Sequence, residues 1–154
     1  MRRTRFDQDI CPIARTTDLM GDWWTPVVMR EAFYGCRRFE QFQERLGVSR
    51  ATLTERLTRL VDEGMLDKVP YQTNPIRNEY RLTEKGRDFY SVLAAMFRWG
   101  DRWLFGEDGG TLEMADRTTG KAIVAQVVDE ATGAPIDVRH VVLRKRRLGP
   151  QEPS

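Results

Sequence analysis

Between Ser49 and Arg59 the chain interleaves hydroxyl, guanidinium and carboxylate side chains with leucines that recur at helical spacing. If Leu53, Leu57 and Leu60 form a buried face, helical geometry turns Ala51, Thr52, Glu55 and Arg59 outward. Arg50 then lies in the first turn and Arg56 on the flank. The chemistry available to such a set is recognition of nucleic-acid edges. Arginine can bond guanine with two donors or clamp a phosphate, threonine can bond a base edge or touch a thymine methyl, and glutamate can accept from cytosine. The unpaired amides at the helix start also favour a phosphate. A plain alternative stands beside this reading, an ordinary solvated face laced by i,i+4 pairs such as Glu55–Arg59.

A second polar set follows at Lys68, Tyr71, Gln72, Arg77 and Asn78, suited to phosphate or minor-groove contact. The two cysteines pose a different question. Cys11 precedes Pro12 at a predicted helix start, where free amides and the helix dipole favour a thiolate, and Arg15 lies one turn on. Its plain alternative is a small buried hydrophobe. Cys36 falls in a predicted turn beside Arg37 and Arg38 and is a second, weaker candidate for a reactive thiol. Two cysteines and one histidine cannot make a four-ligand zinc site unaided, and no metal or cofactor is expected. The one histidine, His140, reads as an ordinary surface residue of the β-rich tail, and no phosphate-cradling glycine loop or nucleophile motif occurs, which argues against an enzyme.

The elements that must position these side chains can be read from glycine, proline and apolar spacing. Pro12 suits the first turn of a helix that Gly21 stops; Thr25-Pro26 reads as a cap and start for a second helix that Gly35 ends. Trp23 and Trp24 read as core anchors, although a pocket for a small effector between subunits is an alternative. Phe39, Phe42 and Leu46 mark one face of a short helix. Gly47-Val48-Ser49 turns the chain, and a longer helix runs from about Arg50 to Glu63, giving a helix-turn-helix pattern. Strands are predicted at 65–69 and 79–83 around a loop from Pro70 to Asn78, which makes a wing. Thr83 can cap one long helix through about Phe105, whose apolar residues cover more than one core-facing stripe and point to a homodimer. Beyond it, 122–128 and 138–143 are largely apolar and rich in β-branched residues, and Thr119-Gly120-Lys121-Ala122-Ile123 is echoed by Thr132-Gly133-Ala134-Pro135-Ile136, which predicts a small β appendage with two turns.

Composition sets limits without deciding function. At 154 residues, 40% hydrophobic and 31% charged, the chain is long enough for one core with a decorated end. A net charge of +2 is no electrostatic footprint for nucleic acid, so that case rests on where the charges sit. No apolar run is long enough for a membrane span and the charged N-terminus leads into no apolar segment, so a cytoplasmic protein without membrane contact is expected.

Taken in order, Cys11-Pro12, Gly21-Asp22-Trp23-Trp24-Thr25, Arg37-Arg38-Phe39, Leu53-Thr54-Glu55-Arg56-Leu57, Gly64-Met65-Leu66, Tyr80-Arg81-Leu82-Thr83-Glu84-Lys85-Gly86 and Trp99-Gly100-Asp101-Arg102-Trp103 resemble the HxlR family of bacterial winged-helix transcriptional regulators. The resemblance covers about residues 9 to 105. It implies a sequence-specific regulator that binds roughly palindromic double-stranded DNA as a homodimer through its terminal helices. It also implies a possible oxidant or electrophile sensor at Cys11. The tail is loosely similar to family members with paired Cys-x-x-Cys-like knuckles, but Thr118, Thr119 and Thr132 stand there, which predicts a metal-free remnant. The expected class is α+β, in four parts. Residues 1–10 are a flexible N-terminus, 11–105 the winged helix-turn-helix and dimerisation domain, 106–143 a β-rich extension and 144–154 a basic flexible tail. The rival is a winged-helix module for protein–protein interaction, which should expose apolar residues on the second helix of the motif.

Overall fold

The computed structural model describes residues 6, 8–107 and 110–144; most of the predicted N-terminal segment and of the basic tail lies outside the described residues. The chain divides into two compact units, Met1–Met96 and Phe97–Ser154.

In the first unit α1 (Pro12–Met20) begins on its proline and ends at Gly21, whose φ of 69° is one that L side chains rarely adopt. The next helix, α2 (Trp24–Phe33), starts differently from expectation. Asp22 supplies the cap, its Oδ1 accepting from Trp24 N at 2.7 Å and Thr25 N at 3.2 Å, while Thr25 is 1% exposed. Trp24 packs against the core, but Trp23, expected beside it, is 80% exposed.

The helix-turn-helix forms as predicted from α3 (Phe39–Leu46) and α4 (Arg50–Asp62). Gly47 takes the left-handed conformation at φ 60°, and the Ser49 hydroxyl accepts from Thr52 N at 3.1 Å, so the turn and the cap are both made by the residues best suited to them. Phe42, Leu53 and Leu57 are fully buried and meet Met29 and Leu66 in the core. Each such side chain contributes about 1.5–3 kcal/mol of burial.

After α4, β1 (Leu66–Thr73) and β2 (Ile76–Leu82) pair antiparallel, with Leu66 opposite Leu82 and Thr73 opposite Ile76. The predicted Pro70–Asn78 loop is therefore mostly strand. Proline has no N–H for the ladder, but a register shift between Pro70 and Gln72 absorbs it and lets the hairpin continue to its tip. Tyr80 N donates to Arg37 O at 2.6 Å and Arg38 bridges Glu79, which ties the hairpin to the chain entering α3.

The single long helix expected from Thr83 is two helices, α5 (Glu84–Asp88) and α6 (Tyr90–Leu104). Thr83 accepts from Gly86 N at 3.0 Å and donates to Gly64 O at 2.6 Å, and Gly86 is buried against the Met65 carbonyl. With α5 pinned there, Phe89 turns into the core and the helix restarts after it.

In the second unit β3 (Met114–Ala115) pairs with β4 (Ala122–Ile123), and Val128 bridges Pro135. Both predicted turns are present, but the strands are shorter than expected. Residues Val138–His140 form a turn of 3-10 helix capped by Asp137 instead of a strand. None of the described residues from 105 to 144 is buried. The two turns repeat one design at the knuckle positions. Thr119 Oγ1 donates to Asp116 Oδ1, and Thr132 Oγ1 to Asp129 Oδ1, each at 2.9 Å. These bonds hold both carboxyls below the usual range, through the Thr119 backbone N–H first at Asp116 and the Thr132 hydroxyl first at Asp129.

Candidate nucleic-acid interface

Packing of α4 on Leu53, Leu57 and Leu60 leaves Arg50, Ala51, Thr54, Glu55 and Thr58 exposed along one stripe. Thr52, Arg56 and Arg59 are half-buried. Thr52 shares a 2.8 Å hydroxyl bond with Ser49, so it serves the cap. Arg59 does not turn outward as helical spacing suggested. Its Nη2 donates to the backbone carbonyl of Asp18, and its guanidinium occupies the space where a side chain on Gly21 would sit. Arg56 turns the same way, with Nη1 2.5 Å from Asp22 Oδ2 and the side chains 16% and 18% exposed. The predicted Glu55–Arg59 pair is replaced by a looser contact of Glu55 with Arg56 at 3.6 Å. The outward stripe instead includes Thr54 and Thr58, which sequence reasoning missed. Thr58 follows Glu55 by three and Ala51 by seven, so helical spacing alone could have found it.

On the hairpin Lys68, Tyr71 and Arg77 are exposed, and Gln72 and Asn78 are half-buried. Gln72 Nε2 donates to Asn74 O at 3.1 Å, inside the hairpin tip. A residue outside the predicted set joins them: the Arg38 guanidinium lies 4.5 Å over the Tyr71 ring, bringing the start of α3 to the hairpin. Arg50 sits in the same manner 4.6 Å over Phe39. Helix start, hairpin and the Arg37-Arg38 segment thus present arginines that the net charge conceals.

The cysteines separate. Cys11 occupies the N-cap position of α1, is half-buried, and its N–H donates to Asp9 Oδ1 at 2.8 Å. Cys36 is 3% exposed within the core, which corrects its reading as a reactive thiol. Burial pushes its thiol up, Glu31 adds to this, and Arg45, not the neighbouring Arg37 and Arg38, opposes it. Glu31 is itself buried and ion-paired to Arg30 at 2.6 Å and Arg45 at 3.3 Å. Among the described residues no group of acidic, histidine and cysteine side chains could hold a metal ion, and no described helix is long and apolar enough to cross a membrane.

A family model described as HxlR-like helix-turn-helix matches residues 19–108. An uncharacterized HTH-type transcriptional regulator of Mycobacterium tuberculosis is 39% identical over 129 residues, 84% of this chain and 82% of its own. The crystal structure of PA1607, a protein provisionally assigned as a transcription factor, superposes with a TM-score of 0.83 at 33% identity, covering 93% of this chain and all of its own. The redox regulator HypR in its reduced form matches with a TM-score of 0.56 at 28% identity, over 61% of this chain and 96% of its own.

Proposed function

The chain belongs to the HxlR-like helix-turn-helix family of transcriptional regulators, and from that premise we propose that it acts as a homodimer on a roughly palindromic operator in the cytoplasm. Each α4 enters a major groove, the β1–β2 hairpin lies along flanking phosphates, and symmetry sets the half-sites about 34 Å apart. Its relatives are regulators, not enzymes. The observation that carries the reading is the polar exposed stripe of α4 beside the arginine-bearing hairpin. A protein-interaction module would present apolar side chains there. Dimerisation is supported by apolar side chains that this chain leaves uncovered, among them Ile13 at 67%, Trp99 at 60% and Trp103 at 63% exposed.

The test is a fluorescence-anisotropy titration with mixed genomic duplex at two salt concentrations. Affinity should fall steeply with salt, and Arg77→Ala should weaken all sequences alike and reduce the salt slope by about one. No binding at low salt refutes the reading.

Control by oxidants or electrophiles through Cys11 completes the proposal. It is favoured by the half-buried position of the thiol at the N-cap of α1 and by the likeness to a named redox regulator. Diamide should lower operator affinity of the wild-type protein and spare Cys11→Ser. A complex that survives peroxide, quinone and diamide unchanged discards this part alone.

A further inference from the structure

The arginines one would expect to read guanine are not on the reading face. Arg56 and Arg59 both turn toward the corner between α1 and α2, against Asp22 and the Asp18 carbonyl. Arg50, in the first turn, stacks over Phe39 at the edge of the stripe, a place suited to a phosphate. Beyond Arg50 the exposed positions of α4 are Ala51, Thr54, Glu55, Thr58 and Asp62. Their chemistry is narrow. Ala51 offers a methyl. The Thr54 hydroxyl donates its proton to Arg50 O at 2.8 Å, which leaves exposed Thr54 a methyl and an oxygen that can only accept, neither of them suited to donating to guanine. Glu55, its side chain 68% exposed, offers a carboxylate, which can only accept.

Those groups match particular base edges. In the major groove guanine presents two acceptors, N7 and O6, which repel a carboxylate; adenine pairs a donor with an acceptor; cytosine presents the N4 amine as a donor; thymine presents its methyl. We propose that α4 reads its half-site through pyrimidine edges, with a cytosine amine under Glu55 and thymine methyls under Ala51 and Thr54, and makes no arginine-to-guanine contact beyond its first turn. This rests on α4 being the helix that enters the groove, as proposed above. Neutralisation of phosphates by Arg50 and the hairpin supplies the affinity, and the stripe supplies the discrimination.

The test uses the full chain. Bound duplexes are selected from random DNA with the wild-type protein and with Glu55→Gln, and the selected operator is then resynthesised with uracil for thymine or 7-deazaguanine for guanine in the half-sites. Uracil, which lacks the methyl, should weaken binding about fourfold per contacted thymine. The 7-deaza substitution should change nothing. Glu55→Gln should shift one position of the motif from cytosine to adenine by about tenfold, since a glutamine amide pairs with adenine N6 and N7. A motif unchanged by Glu55→Gln, or binding sensitive to 7-deazaguanine and indifferent to uracil, overturns this proposal and leaves the operator reading standing. Absence of salt-sensitive binding to the random pool overturns both.

Discussion

Asp22→Asn removes one negative charge from the corner where α2 begins while keeping the side chain's shape. Oδ1 accepts from Trp24 N and Thr25 N at 2.7 and 3.2 Å, and an asparagine oxygen can keep both bonds. Oδ2 faces Arg56 Nη1 at 2.5 Å, and there the variant sets an amide N–H against a guanidinium N–H. Arg56, only 16% exposed, is left with the looser contact to Glu55 at 3.6 Å as its counter-charge. Removing one partner of a buried ion pair costs about 3–5 kcal/mol. Here the contact is charge against charge without good alignment, since Asp22 Oδ2 and Arg56 Nε lack a hydrogen-bond partner among the described residues. Remaining exposure weakens it further, and we expect a cost of about 2 kcal/mol for Asp22→Asn. Asp22→Ala also loses the cap, adding about 1 kcal/mol. For a chain of this size 2 kcal/mol lowers Tm by roughly 4–8 °C. Urea and thermal unfolding at one fixed protein concentration measure this, and a double-mutant cycle with Arg56→Met isolates the pair, with a coupling of about 1–2 kcal/mol. Asp22→Asn within about 0.5 kcal/mol of wild type, or a coupling near zero, would refute the view that this pair holds α4 to the α1–α2 corner.

Three further outcomes can be checked separately. Gly86→Ala should cost about 2–3 kcal/mol in urea unfolding, because the added methyl lies 3.3 Å from Leu82 Cδ2 and closer still to the Met65 carbonyl; a change under about 0.5 kcal/mol contradicts that packing. A thiol-reactive dye at neutral pH should label Cys11 at least about tenfold faster than Cys36, whose thiol is buried and pushed up; equal rates contradict the assignment. The turns at Asp116 and Asp129 use carboxyls held below their usual value, so their contribution is complete above the unfolded value of about 3.9 and is lost only as pH falls through the lower folded value. The Thr119 and Thr132 amide resonances should therefore hold steady from pH 7 to about 4 and move below it, whereas a midpoint near pH 5 contradicts the hydrogen bonding described.

What could be read from the sequence and what could not divide along the range of the interactions. The helix-turn-helix was legible because its signals are local: leucines at helical spacing, a glycine able to take positive φ at 47 and a serine able to cap at 49. The hairpin was legible in existence but not in length, since proline at 70 argues for a loop until a register shift accommodates it. The break at Phe89 was hidden because it follows from the burial of Gly86 against the Met65 carbonyl, about twenty residues back in the chain. Arg59 shows the same limit within the candidate site: helical spacing aims it at solvent, but its partner carbonyl lies 41 residues back in the chain. Cys36 was misread because neighbours in sequence stood in for neighbours in space; Arg37 and Arg38 are exposed, and Glu31 and Arg45 are the charges that face the thiol. Arg38 entered the candidate interface through a contact with Tyr71 that no local pattern encodes.

The account stands on one surface meeting DNA, and hydrogen–deuterium exchange of the full chain with and without a selected operator duplex tests it most directly. The prediction is slowed exchange concentrated in α4 from Arg50 to about Thr58 and in the hairpin between Leu66 and Leu82, with the interior of α2 unchanged. Protection that leaves α4 and the hairpin untouched while appearing elsewhere would contradict it.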